Sequence, residues 1–339
     1  MKKFLALIFV FVAALGLAAC GDKSEFKQDG EFTAFEVSIH DGAPMVTSVT
    51  VTVEKGKITK YFIDARQGSI TQSSGEGESA VAASVKWNEK TKKELKFDYG
   101  MKDVGPKYEF KDGKWAVVDD AKCEKEWFEQ AEAIEAKWLA DGVESVEVND
   151  GRISNVAGVT VKDGFYNKLA REAVENAKAG KVVVFKEALS YNGSADFYFV
   201  EVVFEKGKAK SVLIDTRQSK IEKATNDKGE EVDALVWNEK TKQELKEAYG
   251  MKDDGPKYEF KDGKWVEVEG EKSTLEWYEQ VKLIQDFVVA NGFAKKIVPI
   301  DGRSGAYEGD TAPIEALAGV TVVTGNYLEL IAKAFAAIK

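Results

Sequence analysis

A long internal repeat constrains this 339-residue chain more than any other feature. Trp87 to Trp115 reads WNEKTKKELKFDYGMKDVGPKYEFKDGKW and Trp237 to Trp265 reads WNEKTKQELKEAYGMKDDGPKYEFKDGKW, identical at 25 of 29 positions with an offset of 150. That level of identity marks a duplication. The match extends outward: Ile63-Asp64-Ala65-Arg66-Gln67 pairs with Ile214-Asp215-Thr216-Arg217-Gln218, Trp127 with Trp277, and Asp150-Gly151-Arg152 with Asp301-Gly302-Arg303. The second copy carries about ten extra residues, Ser304 to Pro313, ahead of a tetrapeptide, Ala-Gly-Val-Thr, that ends at Thr160 in one copy and Thr321 in the other. Units of about 150 residues are long enough to bury their own cores. Two tandem homologous domains are therefore expected, over residues 31–180 and 181–339, with a seam near Gly180 that lacks a Pro/Ser-rich linker.

Local patterning gives the fold class. Strand-like runs at Val46–Val53, Ile58–Ile63, Tyr198–Phe204 and Ala209–Ile214 pair across Lys-Gly turns as hairpins, and Asp112-Gly113 and Asp262-Gly263 mark two more tight turns. Trp127, Ala131, Ile134 and Trp138 recur at helical spacing before a stop at Gly142. Phe165, Leu169 and Ala173 form a helical stripe after Thr160, as do Tyr327, Ile331, Phe335 and Ile338 after Thr321, so each threonine is expected to open a helix. The expected class is α+β, each domain an antiparallel sheet with a few helices. The repeated tryptophans, at 87 and 237, 115 and 265, and 127 and 277, are expected in the core.

The first thirty residues specify a location. Lys2 and Lys3 precede an apolar run from Phe4 to Leu17, shorter than a spanning helix and shaped like an export signal. Leu17-Ala18-Ala19-Cys20 fits a bacterial lipobox, which makes residues 1–19 a signal peptide and Cys20 a diacylglycerol-bearing anchor to the outer face of the cell membrane. Residues 20–30 then read as lipidated cysteine and polar tether, with a reach of roughly 35 Å at ~3.6 Å per residue.

Composition narrows the chemistry. The chain holds 48 basic and 58 acidic residues, and cleavage before Cys20 removes Lys2 and Lys3 but no acid, so the mature chain is more acidic still. That charge argues against nucleic acid and against an anionic membrane surface as partners. Once Cys20 is lipidated only Cys123 remains, opposite Ser273 in the repeat, and His40 is the sole histidine. No internal disulfide, no His/Cys metal site and no Ser-His or Cys-His catalytic pair can be assembled, so no catalytic or metal residues are assigned.

The two tetrapeptides resemble the flavinylation motif of the FMN-binding-domain family, found in subunits of sodium-pumping redox complexes and in exported flavoproteins. In that family an acidic residue, two variable positions, Ser/Thr, Gly, Ala and Thr precede a helix. Here the matching stretches are Ser154-Asn155-Val156-Ala157-Gly158-Val159-Thr160 and Glu315-Ala316-Leu317-Ala318-Gly319-Val320-Thr321, with alanine at the Ser/Thr position, valine at the Ala position and the acid kept only as Glu315. The resemblance implies two FMN groups, joined by a flavin transferase through phosphoesters to Thr160 and Thr321. It further implies a membrane-anchored electron carrier, taking electrons from a membrane quinone-linked dehydrogenase and passing them to ferric iron or other extracellular acceptors.

Physical reasoning adds candidates around each threonine. A helix's first turn would favour a phosphate dianion, and Gly158 and Gly319 would allow close backbone approach. Four of the five arginines form repeat pairs, Arg66 with Arg217 and Arg152 with Arg303, which suits either flavin and phosphate oxygens or an internal carboxylate such as Asp64 or Asp215. Tyr166 and Tyr327 are placed to touch the flavin ring or to pack their helices. The alternative function is a non-redox surface lipoprotein, a binding or adhesion module, in which Thr160-Val161-Lys162-Asp163 is a capping box. In that reading the signal fragment ending at Ala19 acts as a secreted peptide.

Overall fold

The computed structural model describes residues 24–75 and 77–339. The signal segment 1–19 and Cys20 lie outside the described residues. The first half opens with four antiparallel strands in spatial order: β1 (Gly30–His40), β2 (Ala43–Glu54), β3 (Lys57–Thr71) and β4 (Ser84–Trp87). Asp41-Gly42 and Lys55-Gly56 hold positive φ at both turn positions, the pairing whose twist suits two-residue hairpins. Along β2, Val49, Val51 and Val53 are buried while Ser48, Thr50 and Thr52 alternate to the other face.

The half continues with α1 (Lys92–Leu95), the hairpin β5 (Pro106–Lys111) and β6 (Lys114–Lys122), α2 (Trp127–Asp141), the short pair β7 (Val148–Asn149) and β8 (Arg152–Ile153), and α3 (Tyr166–Ala179). The second half repeats the order: β9 (Lys181–Leu189), β10 (Ala195–Glu205), β11 (Lys208–Thr225), β12 (Glu231–Trp237), α4 (Lys242–Leu245), β13 (Pro256–Lys261), β14 (Lys264–Lys272), α5 (Trp277–Asn291), β15 (Ile297–Ile300), β16 (Arg303–Tyr307) and α6 (Gly325–Ala336). Its four-stranded sheet runs β12-β11-β10-β9. The fold is thus α+β, with two similar antiparallel sheets. The four strand runs expected from sequence lie inside β2, β3, β10 and β11, whereas the outer strands of both sheets were not foreseen.

Helix packing follows the apolar stripes. Trp127, Ala131, Ile134 and Trp138 are buried along α2, which lies on β3, and Gly142 ends the helix as its spacing implied. α3 covers β1 and β2; α5 covers β11, and α6 covers β10 and β9. The main apolar core draws on both halves, and Val85, Ala195 and Leu235 form a smaller second cluster against which Trp87 and Trp237 pack. The junction is reciprocal: Val85 N–H donates to Gly193 O and Leu235 N–H to Gly42 O, both at 2.8 Å. Trp87 Nε1 donates to Ala188 O (3.2 Å) and Trp237 Nε1 to Ser38 O (3.0 Å), so this pair ties the halves together instead of filling a core within either.

Gly180, with φ +69, caps α3, and β9 begins at the next residue. The chain's last residues return to its first strand, Glu31 N–H meeting Ala337 O at 2.9 Å and Lys339 N–H meeting Asp29 O at 3.1 Å. Residues 20–30 are not all free tether. Phe26 belongs to the core, and Ser24 Oγ donates to Gly56 O at 3.2 Å. Burial of the Phe26 ring acts with the hydrogen bonds of Ser24, Gln28 and Asp29 to hold this stretch on the fold.

Candidate functional site

Both threonines lie on extended chain, not at a helix start. Arg152 pairs with Lys162, and Arg303 with Val323, as single antiparallel bridges, so Thr160 and Thr321 run alongside β8 and β16. Ile153 N–H to Val161 O (3.2 Å) and Asp163 N–H to Gly151 O (2.8 Å) complete the ladder in the first half. α3 starts only at Tyr166 and α6 at Gly325, which corrects both the expected helix-mouth phosphate cradle and the capping box. Pairing with the Asp-Gly-Arg hairpin satisfies the backbone groups that a helix start would have left open. Asp163 takes the capping role, accepting from Asn167 N–H at 3.3 Å.

A buried glutamine fixes each threonine. Gln130 Oε1 accepts from Thr160 N–H at 2.7 Å and Val161 N–H at 3.2 Å, and its Nε2 donates to Lys125 O at 3.2 Å. Gln280 Oε1 accepts from Thr321 N–H at 2.7 Å and Val322 N–H at 3.1 Å. Sequence reasoning missed both. A polar residue three positions after Trp127 and Trp277, repeated on the buried helix face, was the available signal.

Of the arginines, Arg152 and Arg303 reach the threonines and Arg66 and Arg217 do not. Arg152 donates to Thr160 O and stacks 3.7 Å from the Tyr108 ring centre; Arg303 donates to Thr321 O and stacks at the same distance on Tyr258. Arg66 donates to Asn88 O (2.8 Å) and Glu89 O (2.9 Å) and faces Glu187 of the second half at 3.7 Å. Arg217 donates to Glu239 O at 3.1 Å. Asp64 and Asp215 are not their partners: Asp64 accepts from Ala65 and Lys93 N–H, and Asp215 from Thr216 and Gln243 N–H.

Tyr166 and Tyr327 are core residues. The Tyr166 hydroxyl accepts from Trp127 Nε1 at 3.2 Å, and the Tyr327 hydroxyl bonds Thr216 Oγ1 at 2.7 Å. Burial raises both phenols well above their ordinary range.

The two halves differ in what surrounds the hydroxyl. In the first, a cavity of about 550 Å³ opens between the β5–β6 hairpin and residues 154–160, walled by Tyr108, Phe110 and Trp115 with Lys107 and Lys125 at its edge. Trp115 therefore lines this cavity, in contrast to the core position expected of it. Thr160 Oγ1 is buried with no hydrogen-bond partner among the described residues, a condition that costs about 1–3 kcal/mol. Gly158 has φ +70, and a Cβ there would stand 2.7 Å from Lys125 Nζ. Lys107 pairs with Glu124 at 2.6 Å, and this pairing lowers the Glu124 pKa.

In the second half Thr321 Oγ1 donates to Gln280 Oε1 at 3.2 Å. Leu275 stands where Lys125 does, Thr274 for Glu124 and Ser273 for Cys123. Gly319 lacks a positive φ, and its nearest neighbour, Leu283 Cδ1, lies 3.7 Å from a would-be Cβ.

The first site fits a flavin mononucleotide by its donor set. Its volume falls in the range of about 300–1,000 Å³ typical of small-molecule sites, and three aromatic side chains suit a flat ring. Lys125, which makes no ion pair among the described residues, suits a phosphate, as would Lys107 on leaving Glu124, and the Thr160 hydroxyl lacks a partner among the described residues. The second shares the hairpin aromatics Tyr258, Phe260 and Trp265 but exchanges a lysine for leucine. No protein-family model matches the chain, and no curated protein or solved structure matches it.

Proposed function

We propose that the chain is a membrane-anchored extracellular electron-transfer flavoprotein carrying FMN esterified to Thr160 and Thr321. It takes electrons from a membrane quinone-linked donor and passes them to extracellular acceptors such as ferric iron. The observation that carries this reading is the orphaned Thr160 Oγ1 beside an aromatic, lysine-edged cavity. A buried hydroxyl without a partner is unfavourable as it stands, and Thr160 is one of the residues that line the cavity.

Bound FMN would supply the reversible uptake of electrons, and the chain supplies position and charge. Gln130 and Arg152 hold the N–H and C=O of Thr160 from opposite sides, which fixes the backbone from which the hydroxyl projects. Lys107 and Lys125 are the groups to meet phosphate, and Tyr108, Phe110 and Trp115 those to meet the ring. In forming the ester, Thr160 Oγ1 loses its proton and gains a bond to phosphorus. At the same phosphorus the phosphoanhydride bond of the activated flavin nucleotide that the transferase supplies would break, and the displaced phosphate would take up the proton. A covalent link suits an exported carrier, because a dissociated cofactor would be diluted away. At Thr321 the hydroxyl must first leave Gln280, so modification there is expected to be slower.

Intact-mass analysis of protein exported from cells expressing a flavin transferase tests the reading. Two FMN increments are expected, one lost in Thr160→Ala and the other in Thr321→Ala, with visible flavin absorbance falling in step. Colourless protein without a mass gain would overturn it.

A further inference from the structure

We infer that the end of the molecule carrying Ser24 to Asp29 is a basic foot that seats on the phosphodiester headgroups of an anionic bilayer, holding both threonine sites outward. The inference rests on the lipid anchor at Cys20 and is independent of the flavin.

Residues Ser24 to Asp29 strap two repeat-related hairpin turns to one end of the fold. Ser24 Oγ donates to Gly56 O, and Asp29 accepts from Lys55 and Gly56 N–H, which ties down the β2–β3 turn. Gln28 Oε1 accepts from Gly207 N–H at 3.3 Å, which brings in the β10–β11 turn. These turns read Glu54-Lys55-Gly56-Lys57 and Glu205-Lys206-Gly207-Lys208, and all four lysines are exposed. Lys27 is exposed beside them, its Cβ 3.5 Å from a would-be Cβ on Gly180.

Local charge at this end has the opposite sign to the whole. Glu54 pairs with Lys339 at 2.7 Å and Glu205 with Lys210 at 3.3 Å, Glu25 (3.6 Å) and Glu175 (3.0 Å) share Lys178, and Asp29 accepts from backbone N–H groups while keeping its charge. Lys27, Lys55, Lys57, Lys206 and Lys208 make no ion pair among the described residues, against Asp29, Glu31 and the one carboxylate left over where Glu25 and Glu175 share Lys178. The chain as a whole carries a net charge of −10.

A short leash makes that asymmetry decisive. Because Ser24 is already against the fold, only Gly21 to Lys23 separate Cys20 from packed chain, a span of at most roughly 14 Å at ~3.6 Å per residue. Fields at a charged bilayer decay over roughly 8 Å at physiological ionic strength, so the end beside the anchor is the part that feels them. The chain as a whole is acidic, so an end that gathers unpaired lysines beside the anchor is one that anionic lipid favours. The overall charge argued against an anionic membrane partner; the lysines concentrated by the two turns reverse that conclusion for this face.

The orientation sets the reach of the cofactor sites. α3 runs from beside Thr160 to Lys178 at the foot, and α6 from beside Thr321 to Ala337 against Glu31. Helices of 14 and 12 residues place both threonines roughly 20 Å from the lipid-facing end.

The test uses the lipidated protein, its diacylglycerol on Cys20 verified by intact mass, in vesicles of phosphatidylcholine alone or with about a third phosphatidylglycerol. Amine labelling read by mass spectrometry should slow several-fold at Lys55, Lys57, Lys206 and Lys208 in the anionic vesicles, leaving Lys228 at the opposite end unchanged. High salt should abolish the protection. The K55E/K57E/K206E/K208E variant, altered only at exposed turn positions, should label at Lys27, the one foot lysine left without an ion pair among the described residues, equally in both vesicles. Equal labelling of the four wild-type lysines in the two vesicle types, or protection of Lys228 to the same extent, overturns the inference. A flavin-free preparation gives the same answer, which separates this result from the fate of the electron-transfer reading.

Discussion

Thr160 and Thr321 occupy equivalent places yet should respond to valine with opposite signs. In the first half the buried hydroxyl has no partner among the described residues, and an unsatisfied buried polar group costs about 1–3 kcal/mol. Valine keeps the branched shape, puts a methyl where Oγ1 was, and suits the extended backbone that runs beside β8. Thr160→Val is therefore expected to stabilise the unmodified protein by about 1–2 kcal/mol, a rise in Tm of about 2–4 °C per kcal/mol. Thr321→Val removes a hydroxyl that donates to Gln280 at 3.2 Å, while Gln280 keeps its two backbone donors. The expected loss is the net worth of one hydrogen bond, about 0.5–1.5 kcal/mol. The assay is denaturant unfolding of protein made without a flavin transferase, each variant beside wild type with a check that the m-value is unchanged. If Thr160→Val is neutral or destabilising, the hydroxyl has a partner in solution, and the argument that strain keeps it poised for esterification fails.

Gln130→Leu should cost roughly 2–4 kcal/mol, because it orphans the N–H groups of both Thr160 and Val161, and should suppress the FMN mass increment at Thr160 while sparing the one at Thr321. Gly158→Ala should destabilise by about 1–2 kcal/mol, from a left-handed φ and a Cβ 2.7 Å from Lys125 Nζ, whereas Gly319→Ala should be tolerated; paired thermal melts decide it. Burial, more than any other influence, raises the carboxyls of Asp64 and Asp215. The folded state then holds those protons more tightly than the unfolded state, so their contribution is most favourable below the ordinary carboxylate range near about 4 and declines as pH rises through the folded values. The double variant Asp64→Asn/Asp215→Asn should flatten that decline relative to wild type. The comparison removes the opposite slope of Asp233, which Ser73 and Lys223 hold down to about 2. An unchanged slope would refute the assignment.

Periodicity made the fold legible where one face is apolar and the other polar. α2, ending at Gly142, and the inner hairpins β2–β3 and β10–β11 were readable because Val49, Val51 and Val53 alternate with threonines and Trp127 to Trp138 keep helical spacing. β1 and β9 were missed because GEFTAFEVSIH shifts the phase of its alternation at Ala34-Phe35 and KVVVFKEAL runs four apolar residues together. The site was half legible. The tetrapeptide threonines and Arg152 and Arg303 do come together, whereas Tyr166 and Tyr327 fell into the core and Arg66 and Arg217 bound loop carbonyls, since sequence spacing does not say which way a fork or a ring points. The β5–β6 wall lies some fifty residues from Thr160 in the chain, and only the tertiary fold brings it to the cavity.

Within the proposed function, duplication followed by local divergence gives the two sites different electrostatics. The nearly identical segment from Trp87 to Trp115 preserves the aromatic wall in both halves, and each arginine still stacks on its tyrosine at 3.7 Å. The changes fall at the cavity edge, where Lys125 becomes Leu275 and Glu124 becomes Thr274; Glu124 is neutralised by Lys107 at 2.6 Å and Lys257 by Glu271, which leaves Lys125 as the cation that distinguishes the first edge. A cation beside a flavin stabilises the added negative charge on reduction, so the flavin on Thr160 should have the higher potential. Electrons would then run from the second half to the first, toward the half with the open cavity. A potentiometric titration should resolve two waves, and Lys125→Leu should draw the upper wave toward the lower while leaving the lower in place. A single wave in wild type, or an upper wave that ignores the substitution, would mean that the lysine sets no difference between the sites.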